Sequence, residues 1–157
     1  MEKLDKIIIH DTVGTYTPNG CDRLAYHYLI DGNGSVIKGK FRPEDNISCK
    51  DGKYAQHCGG GNTGAIGVSI CACRDPKFPI KQVQFESLCK WIATLCKVYD
   101  IPCTSPTVMT HREFGLSHPK TSSAGKIDID HLEFRPELKP DDIGRFIRTK
   151  IKWYMEQ

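Results

Sequence analysis

The sequence predicts an α/β protein in which helices flank a central mixed β-sheet. Short β-branched apolar segments alternate with helical patterns, which is typical of a sheet whose strands are buried by helices. A turn sequence joins two of these strands directly, so one antiparallel pair is expected beside strands with longer connections. The 157 residues suffice for one hydrophobic core, and we expect residues 1–157 to form a single domain.

The strands are predicted from apolar runs and from one hairpin. Three consecutive isoleucines at 7–9 indicate a strand that is buried on both faces. The turn at 31–34 has the sequence DGNG, in which glycine and asparagine tolerate the positive φ that tight hairpins need. The predicted strands are 6–10, the hairpin pair 25–30 and 35–38, 65–71, and 107–110.

Two helices are predicted from apolar residues that recur at three- and four-residue steps. The first follows Pro79 and ends before Pro102, and the second begins near Pro140 with two aspartates that suit its positive end. Their apolar stripes are Phe85, Leu88, Cys89, Ile92, Leu95, Cys96 and Tyr99, and then Ile143, Phe146, Ile147, Ile151 and Tyr154. We expect loops at 11–21, 40–64 and 115–138.

Composition and charge exclude several classes of protein. Apolar residues make up 39% and charged residues 26% of the chain, which argues against disorder. No apolar run approaches the roughly 20 residues of a membrane span, and the first fifteen residues show no secretory signal. A net charge of +3 is too small to indicate nucleic-acid binding, although it suits an anionic cell wall. We therefore expect neither nucleic acid nor membrane as a partner.

Eight cysteines are many for a chain of this length, but their spacing lacks the C-x-x-C pairs of zinc ribbons and thioredoxins. Cys71 and Cys73 would share one face of a strand, and Cys89 and Cys96 one face of a helix. The favoured interpretation is free thiols in a reducing compartment, with disulfides or a metal cluster as alternatives.

Two histidines occupy equivalent positions, because His10 closes the first predicted strand and His111 follows the last. The ends of strands are where α/β proteins gather reactive groups. A third element, Lys126 and Asp128, lies in a loop that follows a glycine. Two histidines and one carboxylate are a frequent catalytic zinc set, while the alternative for each element alone is an ordinary surface residue.

A family resemblance links these elements. Six motifs occur in order: IIIH at 7–10, AYHYLIDG at 25–32, HCGGGN at 57–62, IGV at 66–68, HRE at 111–113 and KID at 126–128. Together they resemble the zinc-dependent N-acetylmuramoyl-L-alanine amidases, which include short phage endolysins and share a fold with peptidoglycan-recognition proteins. The resemblance covers roughly residues 6–135. It implies the peptidoglycan-recognition-protein-like fold and one Zn²⁺ per chain.

The resemblance also implies roles for individual residues. His10 and His111 match the two histidine ligands of zinc, and Asp128 matches the third ligand, two residues after the catalytic lysine, here Lys126. Asp130 remains the alternative third ligand, because Ile129 and Asp130 replace the Pro-Gly that often follows the ligand. Tyr26 matches a tyrosine that phage amidases place beside the water on zinc.

Other positions are less direct matches. His57 and Asn62 match residues that line the substrate groove, and His27 is expected to support the site or simply to pack. Ser69 aligns with a glutamate of the cytosolic recycling amidases, which favours the phage and recognition-protein branch. The short stretch between His10 and Tyr26 implies that a helix often found there is reduced or absent.

Three further residues lie near these motifs in the sequence. His118 and His131 are expected at the surface, with His131 as a candidate hydrogen-bond partner of a zinc ligand. Cys58 is expected to be passive rather than a reactive thiol.

The function implied by the resemblance is zinc-dependent hydrolysis of the amide bond between N-acetylmuramic acid and L-alanine in bacterial peptidoglycan. We expect a monomeric phage endolysin that resides in the host cytoplasm before release to the wall. The main alternative is a non-catalytic peptidoglycan-binding module of the same fold. A cysteine-rich structural metal protein is a weaker alternative, because C-x-x-C pairs are missing.

Overall fold

The computed structural model describes residues 2–74 and 77–157. Within them, strands and helices follow one another largely as the sequence predicts. The strands are β1 (Lys6–Asp11), β2 (Tyr28–Ile30), β3 (Val36–Lys38), β4 (Ala65–Ile70) and β5 (Val108–Thr110). The helices are α1 (Gly20–Ala25), α2 (Gln82–Val98), α3 (His111–Ser117) and α4 (Pro140–Met155), and Pro43–Asn46 forms a 3₁₀ turn.

The five strands form one mixed sheet in the order β3-β2-β4-β1-β5. Strand β1 lies between β4 and β5 and is parallel to both, and β2 is parallel to β4. Only the predicted hairpin, β2 with β3, is antiparallel. The predicted fold class, a mixed sheet flanked by helices, is confirmed.

The two faces of this sheet have different neighbours. Ile7 and Ile9 of β1 belong to the large apolar core that includes α2 and α4. Ile8 points to the opposite face, where it lies in a smaller cluster with Met109 and Phe114. Because side chains alternate along a strand, His10 lies on the same face as Ile8, away from α2 and α4. This second face carries the candidate site.

Helices α1 and α3 fall in segments for which no helix was predicted. Both begin with a capping box: the Asn19 side chain accepts a hydrogen bond from the Asp22 amide at 2.8 Å, and the Thr110 hydroxyl accepts one from the Glu113 amide at 3.1 Å. Each helix has six or seven residues, too short to show an apolar period. The predicted loop 11–21 therefore ends in a helix, and His111 begins one.

Two negative findings concern the described residues. Among residues 2–74 and 77–157, no helix is long and apolar enough to cross a membrane. All eight cysteines fall within the same ranges, and none is joined to another in the structure. Cys89 and Cys96 are buried on the same face of α2, as their seven-residue spacing predicts.

Candidate metal centre

Three side chains from distant parts of the chain meet at the carboxyl edge of the sheet. One ligand atom each from His10, His111 and Asp128 lies within 4.8 Å of the other two. His10 Nδ1 lies 3.0 Å from Asp128 Oδ2, and His111 Nδ1 lies 3.4 Å from Asp128 Oδ1. The sequence motifs predict this group, and the structure brings its members together.

The backbone explains why the three groups converge. His10 is the penultimate residue of β1. Because β5 lies parallel to β1, His111, which directly follows β5, lies at the same edge of the sheet. The Arg112 amide donates a hydrogen bond to the Asp128 carbonyl at 2.7 Å, which ties the later loop to the start of α3. Asp128 is thereby held against both histidines.

The hydrogen bonds of His57 determine which nitrogen of His10 donates a proton to it and which nitrogen remains available to bind a metal. The Ala65 carbonyl can only accept, so His57 Nε2, at 3.1 Å, must donate to it. His57 Nδ1 is then an acceptor, and His10 Nε2, at 3.0 Å, donates its proton there. When the ring is neutral, His10 Nδ1 therefore presents a lone pair to the Asp128 carboxylate at 3.0 Å. A lone pair facing a carboxylate is unfavourable unless a cation or proton lies between them.

Burial and close contacts determine which of these side chains are charged. Burial lowers the pKa of His10 and places that of His57 well below its usual value, so both rings are neutral. Burial opposes the charge of Asp128, but the two histidines beside it hold the pKa of the carboxyl far below its usual range. Burial also disfavours the charge of His111, yet contacts with Asp128 and Cys58 raise its pKa to about 9.

This donor set fits zinc. Two imidazole nitrogens and one carboxylate oxygen are typical of catalytic zinc sites, which leave a fourth position for water or substrate. Asp130 is not part of the group, because its carboxylate contacts Arg74 at 2.9 Å and His131 at 2.7 Å. Of the two candidate carboxylates, Asp128 is the one that faces the histidines.

Tyr26 and Lys126 flank the group in different ways. The Tyr26 ring is half-buried with its centroid 5.0 Å from that of His10. Burial, followed by the charge of Asp128, raises the pKa of Tyr26, so its hydroxyl remains protonated and can donate a hydrogen bond. Lys126 is exposed two residues before Asp128, and its charge contributes to the lowered pKa of His10.

His57 and Asn62 both make hydrogen bonds within the site. His57 is 6% exposed, and its two ring nitrogens face His10 and Ala65. The Asn62 side-chain oxygen accepts hydrogen bonds from the amides of His57 and Cys58 at 2.9 and 2.8 Å. Both residues thus support the site through these hydrogen bonds, and their contact with substrate stays a prediction.

The remaining histidines and Cys58 are not members of the metal-ligand group. His27 is buried, accepts a hydrogen bond from the Gly67 amide at 2.9 Å and contacts Asn46 at 2.8 Å. His118 is exposed and stacks on Phe114. His131 is partly buried between Asp130 and Glu133, and Cys58 is 1% exposed beneath the site.

Two supporting residues carry no sequence signal that could have identified them. Asn46 is fully buried and bridges His27 to the Ala55 backbone. Ser123 is also fully buried, and its hydroxyl lies 2.9 Å from His111 Nε2. The partners named here are 9 to 19 residues away along the chain, so spacing alone does not reveal Asn46 and Ser123.

Comparison with known proteins places this geometry in a family. The model of the N-acetylmuramoyl-L-alanine amidase family matches residues 1–126 of the 157. The chain belongs to this amidase family. The match ends two residues before Asp128, so the position of this carboxylate beside the histidines rests on the structure. A search of curated protein sequences gave no significant match.

Solved structures show the same amidase fold at low sequence identity. The Staphylococcus aureus hydrolase AmiA, solved with its ligand, has a TM-score of 0.63 at 14% identity, covering 98% of this chain and 74% of AmiA. PlyL has a TM-score of 0.60 at 18% identity, covering 96% and 84%. The Drosophila peptidoglycan recognition protein SD has a TM-score of 0.52 at 16% identity, covering 78% and 76%. The predicted recognition-protein-like amidase fold is confirmed.

Proposed function

We propose that this family member is a zinc-dependent enzyme that hydrolyses the amide bond between N-acetylmuramic acid and L-alanine in peptidoglycan. The observation that carries the proposal is the convergence of His10, His111 and Asp128, with His10 Nδ1 at 3.0 Å from the Asp128 carboxylate. His111 adds a second nitrogen to the same small space. A divalent cation would satisfy all three donors, whereas the metal-free arrangement sets a lone pair against a carboxylate.

His10, His111 and Asp128 would hold the metal. When bound there, zinc acts as a Lewis acid that polarises a carbonyl and lowers the pKa of water from about 16 to about 7. The Asp128 carboxylate remains ionised, because its contacts with both histidines lower its pKa. It therefore offers a negative charge that offsets the charge of the cation.

Tyr26 and Lys126 would act on the substrate from two sides of the site. The Tyr26 hydroxyl keeps its proton, so it can donate a hydrogen bond that orients the attacking water or the amide. The Lys126 ammonium is exposed, so it is free to approach the carbonyl oxygen of the scissile amide. There it would stabilise the negative charge that develops as the carbonyl becomes tetrahedral.

The biological setting follows from the same proposal. An amidase that acts on peptidoglycan and carries a net charge of +3 suits an anionic cell wall. We propose that it serves as a phage endolysin, made in the host cytoplasm and released to the wall, and that it acts as a monomer. The fold that this chain shares with PlyL is compatible with this proposal.

The decisive experiment is digestion of purified peptidoglycan, with and without a chelator, followed by mass analysis of the soluble products. We expect stem peptides with a free L-alanine amino terminus, which disappear with chelator and return with added zinc. Asp128→Asn should abolish both zinc binding and product, whereas Asp130→Asn should retain them. Intact peptidoglycan bound by the zinc-loaded protein would identify a binding module instead, and cleaved glycan bonds would identify a different hydrolase.

A further inference from the structure

We propose that one glycine-rich loop, residues 57–62, orients both histidine ligands, and that Ser123 is the positioning residue that connects it to His111. The inference rests on the metal site proposed above. It concerns residues that would act on the metal through its two histidine ligands. Their effect would be to leave Nδ1 of each ring as the only nitrogen available for coordination.

The hydrogen bonds of Ser123 have a fixed direction. Its hydroxyl lies 2.7 Å from the Gly59 carbonyl, which can only accept, so the single hydroxyl proton points there. The oxygen must then accept from His111 Nε2, at 2.9 Å. Ser123 is fully buried, so water does not compete for either bond. His111 Nε2 is thereby held as a donor, and its Nδ1 faces Asp128.

The same loop orients His10 by a second path. His10 Nε2 donates to His57, and His57 Nε2 donates to the Ala65 carbonyl. Each path therefore ends at a backbone carbonyl, which sets the direction of every hydrogen bond before it. One path passes through the His57 side chain and the other ends at Gly59. His57 and Gly59 both belong to the loop 57–62, in which the Asn62 side chain accepts hydrogen bonds from the His57 and Cys58 amides.

The three glycines of the loop allow this arrangement. A Cβ atom on Gly59, Gly60 or Gly61 would overlap Ser122, Thr121 or Phe114, respectively. A Cβ atom on Gly115 of α3 would overlap the Ser123 backbone. The segment that carries Ser123 is thus packed between the loop and α3, in contact with His111. The glycines serve close packing under the metal site.

Two neighbouring serines provide a matched comparison. Ser122 is exposed, whereas Ser123 is buried against His111. We expect Ser123→Ala to weaken zinc binding about 10- to 100-fold, as is typical for partners of metal-ligating histidines, and Ser122→Ala to leave it unchanged. The affinity is measured by competition with a chromophoric chelator. Urea unfolding of the metal-free proteins shows whether each variant is folded.

Nuclear magnetic resonance of ¹⁵N-histidine in the zinc-loaded protein separates the two paths. In the wild type we expect slowly exchanging Nε2–H protons on both His10 and His111. Ser123→Ala should accelerate exchange at His111 alone, and His57→Phe should accelerate it at His10 alone. General loosening of the fold would affect both rings in both variants, so this selectivity is a signature of positioning.

The outcomes are distinguishable. If Ser123→Ala binds zinc as tightly as Ser122→Ala and keeps the slow His111 proton, the inference is wrong and the proposed function stands. If either variant alters both histidine signals equally, the separate paths are wrong. If the wild-type protein does not bind zinc, the proposed function itself fails.

Discussion

The two faces of the central sheet are built from alternate residues of the same strands, yet different forces determine their structure. On the core face, Ile7 and Ile9 pack with α2 and α4 through non-directional apolar contacts. On the site face, His10 lies above His57, and Gly67 of β4 leaves room for the His57 ring. Shape and hydrophobicity suffice on the first face, whereas direction and close approach matter on the second. Substitutions should therefore act on stability on one face and on metal chemistry on the other.

The largest expected effect is on the core face. Phe85 of α2 is 2% exposed and packs against Phe134 and Phe146. Phe85→Ala should reduce the free energy of unfolding by about 3–5 kcal/mol, because it removes buried apolar surface and leaves a cavity. Zinc affinity of the folded protein should not change. Urea unfolding and chelator competition measure the two quantities.

Val83 on the same helix is the control, since it is 49% exposed and Val83→Ala should change stability by no more than about 0.5 kcal/mol. A loss of zinc affinity in folded Phe85→Ala protein would contradict the separation of the two faces.

The second-largest effect concerns Lys126, whose substitution should change kcat but not stability. Lys126 is exposed, so Lys126→Ala should leave the free energy of unfolding unchanged. Loss of its ammonium should lower kcat about 10²- to 10³-fold, because a group that stabilises developing negative charge is removed. Release of stem peptides from peptidoglycan measures this rate. Lys120→Ala, another exposed lysine of the same segment, should behave as wild type. Full activity of Lys126→Ala would remove Lys126 from the mechanism.

A third prediction tests a contact that joins the two faces. Arg148 of α4 makes two hydrogen bonds to the Glu113 carboxylate of α3, at 2.9 and 3.0 Å, and one to the Val108 carbonyl. Arg148→Ala should cost about 2–3 kcal/mol, because it leaves a half-buried carboxylate without its cation. Since Glu113 also caps α3 at Thr110, the position of His111 and zinc affinity should suffer as well.

Arg145→Ala is the matched control, because Arg145 is 77% exposed on the same helix and its ion pair with Asp142 should contribute little. If Arg148→Ala reduces stability without any change in zinc affinity, the ion pair holds α4 alone and does not reach the site.

The contrast between the faces also explains what the sequence could predict. Periodicity identified β1, β4, α2 and α4, because their apolar patterns serve the core directly. The family motifs identified His10, His111 and Asp128, which the structure brings together. The placement of His57 against His10 could not be predicted, since it depends on a hydrogen bond between residues 47 positions apart.

The missed helices have a related physical cause. Helices α1 and α3 are defined by capping boxes at Asn19 and Thr110 rather than by an apolar period. A Thr-x-x-Glu pattern at 110–113 was present in the sequence and could have indicated the start of α3. Ser123 had no such signal, because its function depends on the Gly59 carbonyl, 64 positions away.

The smallest predicted effect concerns acid stability on the site face. Burial lowers the pKa of His27 to about 4 from the ordinary 6.5, and its Nδ1 already accepts the Gly67 amide proton. Between these values the unfolded chain binds a proton that the folded chain does not, so the free energy of unfolding falls as pH falls. At pH 5 this loss should be roughly 2 kcal/mol, since each pKa unit corresponds to about 1.4 kcal/mol.

Metal-free protein in chelator, unfolded with urea at pH 6.5 and pH 5, isolates this contribution from loss of metal. His27→Gln should lose less stability between the two pH values than wild type, by roughly 1–2 kcal/mol, even if it is less stable at both, because part of the loss has already occurred at pH 6.5. His118→Gln, at an exposed position, should follow the wild-type curve. An equal loss in His27→Gln and wild type would show that the acid sensitivity of the site face arises elsewhere. A smaller loss would show that the directional bonds beneath the metal centre, unlike the apolar contacts of the core face, depend on protonation.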